Sequence, residues 1–140
     1  MSQVKFTASE YDQYDDEVKY QITFTNEFAS SFFEFYGYSD TFQEFATGLI
    51  KFPKSITDIV LFEAGGNNKK WAYYMQLNVF CYEKNGHTAI QIIIDNHRQS
   101  PDTIKTEFYI KTVPASINNL GKQLISWDPK TEKELLWISK

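Results

Sequence analysis

Apolar and polar residues alternate along the first part of the chain, and this alternation predicts β-strands. Residues 4–9 and 17–25 show it most clearly, because every second position of the latter is apolar: Val18, Tyr20, Ile22 and Phe24. A period of two places these side chains on one face of a half-buried strand. A polar break at Asn26 and Glu27 precedes an aromatic stretch at residues 28–38. The sequence therefore predicts an N-terminal hairpin.

Two later segments have helical spacing. The first follows the N-cap candidates Ser39, Asp40 and Thr41, ends at Phe52-Pro53, and has apolar residues at i, i+3, i+4 and i+7: Phe42, Phe45, Ala46 and Leu49. The second follows Pro114 and carries Ile117, Leu120, Leu124 and Ile125. Gly121 lies inside it, at a cost of about 1 kcal/mol relative to alanine.

Four consecutive strands are predicted between these helices, at residues 58–64, 71–82, 88–95 and 104–113. Turn-forming residues separate them, and such short connections make neighbouring strands antiparallel. We therefore expect an α+β fold with one antiparallel sheet of about six to seven strands: an N-terminal hairpin, a helix, a four-strand meander and a C-terminal helix. The apolar tail at residues 131–140 is expected to dock on this body. No linker is found, so residues 1–140 are expected to form a single domain.

The composition favours β-strands and indicates a cellular location. Aromatic residues make up 17% of the chain, and they are enriched on strands. The longest apolar run is residues 71–75 (WAYYM), far short of the ~20 residues that span a bilayer, and the N-terminus lacks the apolar run of a signal peptide. Cys81 is the single cysteine. These features predict a cytoplasmic protein without a membrane segment.

Charge is unevenly distributed. Residues 1–50 hold two lysines against nine carboxylates, whereas residues 51–140 hold twelve basic residues against nine carboxylates. Much of the acidity lies in one run, which would repel nucleic acid and attract a basic partner. We predict that this run binds a protein partner through Glu10, Tyr11, Asp12, Tyr14, Asp15, Asp16 and Glu17. The competing interpretation is a solvated loop or strand edge, where charges discourage edge-to-edge pairing.

The residues that could carry chemistry do not form a recognisable site. His87 and His97 are ten positions apart beside predicted turns and are expected to be surface residues, while Cys81 is expected to be buried within a strand. Asp95 and His97 could form an acid-base pair, but neighbouring residues at a strand end commonly point in different directions. No glycine-rich phosphate loop is present. We therefore predict no catalytic, metal or cofactor site.

Three segments of the sequence resemble the WapI-type immunity proteins of bacterial polymorphic toxin systems. They are residues 41–53 (TFQEFATGLIKFP), residues 86–92 (GHTAIQI), and residues 108–112 (FYIKT) leading into residues 117–124. The resemblance implies a small cytoplasmic bacterial protein that binds a cognate toxin domain and blocks it, with no reaction of its own. A nuclease with a basic cleft would suit the acidic run as such a toxin.

Two other functions remain open on the sequence. The first alternative is a small-ligand-binding module with an apolar pocket between the sheet and a helix. The second is an enzyme using Asp95, His97 or Glu63, which ranks lowest because no nucleophile, base and orienting group can be proposed together. The oligomeric state also stays open.

Overall fold

The computed structural model describes residues 1–68 and 70–140, and this part of the chain contains eight strands and two helices. The elements are β1 (Gln3–Asp12), β2 (Glu17–Thr25), β3 (Ser30–Tyr38), α1 (Gln43–Lys51), β4 (Ile59–Gly65), β5 (Tyr74–Cys81), β6 (Thr88–Asp95), β7 (Lys105–Thr112), α2 (Pro114–Ser126) and β8 (Glu134–Ile138). Within the described residues, neither helix is long and apolar enough to cross a membrane.

The strands form two antiparallel sheets of four strands each. Sheet A has the order β3-β2-β1-β8, and sheet B has the order β4-β5-β6-β7. The α+β class, the N-terminal hairpin and the four-strand meander are confirmed, whereas the expectation of one sheet of six to seven strands is wrong. The chain leaves sheet A through α1 after β3, so β4 opens a second sheet instead of pairing with the first.

The C-terminal tail completes sheet A. It was expected only to dock, but β8 pairs with β1 in antiparallel register, with Val4 opposite Trp137. Trp137 is fully buried, and its indole N–H donates a 3.0 Å hydrogen bond to the backbone carbonyl of Ser116 in α2. The alternation of Leu135 and Trp137 inward with Leu136 outward is the pattern of a half-buried strand.

The core between the sheets and helices is filled by aromatic rings. Phe42 is central, with its ring centroid 5.3 Å from that of Phe6, 5.0 Å from Tyr20 and 4.9 Å from Phe62. Several of these pairs have the edge-to-face geometry that aromatic quadrupoles favour. The space between sheet and helix, where a ligand pocket was considered, is therefore packed with side chains at this position.

The two helices pack against each other through a glycine and an asparagine. A Cβ atom on Gly121 would lie 2.8 Å from the carbonyl oxygen of Ala46 and 2.8 Å from the backbone nitrogen of Ile50. Asn118 donates its side-chain amide to three carbonyl oxygens at the end of α1, those of Leu49, Ile50 and Phe52. Asn118 thus satisfies groups that the helix leaves unpaired.

The start of α1 differs from the sequence expectation. Its N-cap position is Phe42, and no side chain caps the helix. The hydroxyl of Thr41 instead accepts a hydrogen bond from the backbone N–H of Tyr38 at 2.6 Å. Thr41 therefore shapes the turn between β3 and α1, a use of a short polar side chain that competes with capping.

Candidate partner-binding surface

A β-bulge directs the acidic run to the outer face of sheet A. The pairing of β1 with β2 shifts by one residue between Ala8 and Glu10, so Ser9 has no partner residue. Before this bulge, even-numbered residues of β1 point into the core. After it, Glu10 lies opposite Lys19 and Asp12 opposite Glu17, both on the outer face. The extra residue thus prevents Glu10 from facing the core.

The turn between β1 and β2 is fixed by its own carboxylates. The Asp12 carboxylate accepts the backbone N–H of Tyr14 at 2.9 Å. Asp16 has a positive φ of 57° and accepts the hydroxyl of Ser39 at 2.7 Å and that of Tyr11 at 3.1 Å. Asp16 and Tyr11 therefore hold the turn against the segment after β3, and Gln13, Tyr14 and Asp15 are exposed at its tip.

The contacts of Asp16 change the acidity of two groups. The hydrogen bond from the Ser39 hydroxyl holds the pKa of Asp16 below its ordinary value. Burial raises the pKa of Tyr11, and the hydrogen bond to Asp16 raises it further. A lowered carboxyl pKa stabilises the folded turn at pH values above the unfolded pKa, and this stabilisation is lost as the pH falls through the folded pKa.

Replacing Ser39 by alanine is expected to raise the pKa of Asp16 towards its ordinary value, because the main stabilising hydrogen bond of the carboxylate is lost. The measurement is an NMR titration of the side-chain carboxyl resonances between pH 2 and 6, a range chosen to bracket the ordinary aspartate pKa of ~3.9. Ser9→Ala serves as the control, since the Ser9 hydroxyl bonds to the carbonyl of Lys19 and not to Asp16. An Asp16 midpoint that is the same in both variants would contradict this account of the turn.

Strand β3 adds three residues to the acidic run. Tyr36 lies opposite Lys19 and Tyr38 opposite Glu17, and both tyrosines are about half exposed. Lys19 lies between two carboxylates, with its Nζ 3.9 Å from Glu10 and 3.6 Å from Glu34. We define the hairpin patch as the exposed residues of this surface: Glu10, Asp12, Tyr14, Asp15, Glu17, Glu34, Tyr36 and Tyr38.

The patch carries five carboxylates, two of which, Glu10 and Glu34, lie beside the ammonium group of Lys19. A shallow hollow of about 110 Å³ lies within it, lined in part by Tyr11 and Tyr36. Of the seven residues predicted from the sequence, five lie in the patch and two, Tyr11 and Asp16, serve mainly to hold the turn. The structure therefore brings the predicted residues together but gives them two different roles.

The residues of β3 were missed because the stretch 28–38 was considered only as an aromatic segment. Its alternation contains the signal, since Glu34 shares a face with Tyr36 and Tyr38. A carboxylate among bulky aromatics marks the solvent face, and the opposite positions, Phe33 and Phe35, are buried. The alternation of exposed and buried positions around Glu34 therefore identifies Tyr36 and Tyr38 as exposed.

The two histidines differ in their surroundings. His87 is exposed and lies 3.3 Å from the carboxylate of Glu83. His97 was expected at the surface, but its side chain is only 3% exposed, and its Nδ1 is 2.8 Å from the carbonyl oxygen of Trp71. The expectation that Asp95 and His97 point apart is also wrong: their side chains approach to 3.7 Å because His97 turns the chain with a φ of 53°.

Cys81 is partly buried at the end of β5, on the same strand as the buried Leu77 and Val79. Within residues 1–68 and 70–140, no three side chains of His, Cys, Asp or Glu form a group that could hold a metal ion.

Comparison with solved structures relates this fold to a plant protein. The chain matches the structure of the plant transcriptional regulator PBF-2 with a TM-score of 0.53. The match covers 89% of this chain and 76% of that chain, at 10% sequence identity. At this identity the likeness shows a similar fold only, because one fold can carry many functions. No protein-family model and no curated protein sequence matches the chain.

Two open hollows bear on the small-ligand alternative. One, of about 470 Å³, lies between α1 and β4 and is lined in part by Glu44, Phe45 and Val60. The other is an open apolar groove. It measures about 620 Å³ and lies between the β2–β3 turn and β7, lined in part by Phe28, Phe108 and Tyr109. Phe28 is 91% exposed, so its ring stands at the rim in solvent. Ligand sites usually bury most of their ligand, whereas this groove is open. It also lies away from both helices and from the hairpin patch.

Proposed function

We propose that the chain is a non-catalytic binding protein of the immunity kind, which binds a cognate toxin domain in the bacterial cytoplasm and neutralises it through the hairpin patch. The observation that supports this most directly is the clustering of five carboxylates and three exposed tyrosines on one rigid surface. The resemblance to WapI-type immunity proteins supports the same class. The proposed partner is a toxin domain with a basic surface, such as a nuclease.

The composition of the hairpin patch suits recognition of a basic partner. Its carboxylates can take the positions that phosphates occupy in a nuclease cleft, and such fields raise association rates by about 10- to 1000-fold. Tyr14, Tyr36 and Tyr38 supply large amphipathic rings, which commonly anchor interfaces. Charge therefore provides attraction and the tyrosines provide buried contact area.

The patch is held in place before any partner binds. Asp16 joins the turn to Ser39, and the Lys19 ammonium group joins β2 to the neighbouring strands through Glu10 and Glu34. Binding then costs less ordering entropy than it would for a flexible acidic loop. The likeness to PBF-2 adds no nucleic-acid role to this proposal, because the chain has a net charge of −4 and its candidate surface is acidic.

The test is co-expression in a bacterial host with the C-terminal domain of the protein encoded immediately upstream. Toxicity that the wild-type chain relieves, together with a stoichiometric complex of the two purified proteins, is the expected result. Growth arrest that persists despite a soluble, folded chain would contradict the immunity role.

Replacing Asp12 and Asp15 by asparagine and Glu17 by glutamine is expected to slow association with that toxin domain by about 10- to 100-fold at low salt. It should also reduce the salt dependence of the rate, because three of the five carboxylates of the hairpin patch are removed. Asp16 is left unchanged because it holds the turn, and asparagine at position 12 keeps the side-chain oxygen that accepts the Tyr14 N–H. Stopped-flow or surface-based kinetics at several salt concentrations measures the effect.

The matched control removes three exposed carboxylates elsewhere, by Glu27→Gln, Glu83→Gln and Asp102→Asn. These residues lie in the β2–β3 turn, the β5–β6 turn and the β6–β7 connection, so the net charge changes equally while the hairpin patch stays intact. Equal slowing by both triple variants would indicate an effect of net charge alone and would remove the assignment of the patch.

A further inference from the structure

Strand β3 is one of the two edge strands of sheet A, and its hydrogen-bonding pattern can be followed residue by residue. The backbone N–H of Asn26 donates to the carbonyl of Ala29, so this pair is hydrogen-bonded. Bonded and non-bonded pairs alternate along an antiparallel ladder. Residues 31, 33, 35 and 37 therefore bond to β2, and Ser30, Phe32 and Glu34 direct their N–H and C=O groups to the open edge.

These outward groups have no hydrogen-bond partner among residues 1–68 and 70–140. The edge closes further along, where the backbone of Tyr36 hydrogen-bonds to the hydroxyl of Tyr73. The Tyr38 N–H then donates to the hydroxyl of Thr41, and its carbonyl accepts the hydroxyl of Tyr20. The open stretch thus begins at Ser30 and ends before Tyr36. It has no proline, no lysine and no bulge, the features that usually protect an edge strand from pairing with another chain.

Two of the other three edges are partly bonded. On β7, the carbonyl of Tyr109 accepts the side chain of Asn26, and that of Lys111 accepts the hydroxyl of Ser139. On β8, the carbonyl of Leu136 accepts the side chain of Gln123 from α2. Within the described part of the chain, the edge of β4 is unbonded like that of β3, and an open hollow of about 470 Å³ lies between it and α1. Among the described strands, β3 and β4 therefore have open edges, and β3 is the one beside the hairpin patch.

We infer that the edge of β3 receives an extended, basic segment of the partner protein, which pairs with it as a fifth strand of sheet A. The main-chain groups of Ser30, Phe32 and Glu34 would supply the hydrogen bonds of strand addition. The identity of the partner rests on the proposed function, whereas the strand-binding edge is a property of this chain alone.

Charge selects the chemistry of the added strand. Glu34 lies on the outer face of β3, and the next strands place Glu17, Asp12 and Glu10 on the same face. A lysine or arginine of the added strand beside Glu34 would meet that carboxylate directly, and an apolar residue would pack beside the half-exposed ring of Phe32. The carboxylates of β2 and β1 lie two and three strand spacings of ~4.8 Å away and act only through their longer-range field. A second copy of this chain fits less well, because β3 holds no lysine or arginine that could complement Glu34.

The test uses the full ¹⁵N-labelled chain and a capped nonapeptide of alternating lysine and valine. With peptide at saturation, amide exchange at Ser30, Phe32 and Glu34 is expected to slow about tenfold or more, since a bonded amide exchanges only when the pairing opens. The amides of Phe33 and Phe35 already bond to β2 and should be unaffected. A glutamate–valine peptide, and a lysine–valine peptide with every amide N-methylated, should give no such protection.

A proline variant separates strand pairing from attraction by charge. Glu34→Pro removes one outward N–H while leaving the bonds to β2, and it should abolish the protection at Ser30 and Phe32. Glu34→Gln removes the same charge but keeps the N–H, so protection at saturating peptide should persist. Glu107→Pro is the second control, because Glu107 is an exposed glutamate at an outward position of the edge strand β7. Circular dichroism confirms that all three variants are folded.

Several results would overturn the inference. Unprotected amides with the lysine–valine peptide, or equal binding of its N-methylated form, would exclude strand pairing. Protection of the same amides in a peptide-free dimer would assign the edge to a second copy. If the chain neutralises the toxin but the peptide does not slow amide exchange in β3, the inference fails and the proposed function stands. If the peptide pairs with β3 but toxicity persists, the proposed function fails alone.

Discussion

Trp137→Ala is expected to lower the free energy of unfolding by about 3–5 kcal/mol, the range for removing a large buried aromatic side chain. Trp137 is fully buried, and its indole N–H bonds to the carbonyl of Ser116 in α2. The variant therefore leaves a large cavity and an unpaired buried carbonyl at the contact between sheet A and α2. Urea denaturation followed by circular dichroism measures the loss.

Leu136→Ala is the control on the same strand. Leu136 is 45% exposed and points away from the core, so its removal should change the free energy of unfolding by about 0.5 kcal/mol or less. The contrast depends on the register of β8 against β1. If the two variants lost similar stability, the alternation of β8 and its place in sheet A would be wrong.

Gly121→Ala is expected to destabilise the protein by about 1–3 kcal/mol, although alanine is the better helix former by about 1 kcal/mol. A Cβ atom at this position would lie 2.8 Å from backbone atoms of Ala46 and Ile50 in α1. Backbone atoms cannot rotate away as a flexible side chain can. The helices would have to separate, which would strain the hydrogen bonds from Asn118 to the end of α1.

Asn119→Ala is the matched substitution on α2. Asn119 is exposed in the same helix, so alanine should be neutral or stabilise by a few tenths of a kcal/mol through helix propensity alone. Thermal and urea unfolding of both variants provides the comparison. A more stable Gly121→Ala variant would show that propensity outweighs the close contact of the helices.

The strands and helices could be predicted because their signals are local. The alternation from Val18 to Phe24 and the helical spacing from Phe42 to Leu49 each lie within one element. The number of sheets depends instead on contacts between distant residues. The pairing of Val4 with Trp137 has no local signal, and the same holds for the α1–α2 contact that requires Gly121.

The candidate surface was predictable to a similar extent. The acidic run is contiguous in sequence, so its residues were bound to lie close together. What the sequence did not show was the bulge at Ser9, which decides the direction of Glu10, and the bond to Ser39, which gives Asp16 a structural role. A bulge depends on pairing between strands, and Ser39 lies beyond another strand. Predicting either effect therefore requires knowing how the strands pair in three dimensions.

The antiparallel pairing of β1 with β8 joins residues more than a hundred positions apart and so constrains the order of folding. On the ribosome, β1 emerges more than a hundred residues before its second neighbour, β8. The nascent chain must keep the edge of β1 unpaired until β8 has been synthesised. Closure of so long a loop also slows refolding from denaturant, because the chain loses conformational entropy before the contacts between β1 and β8 stabilise it.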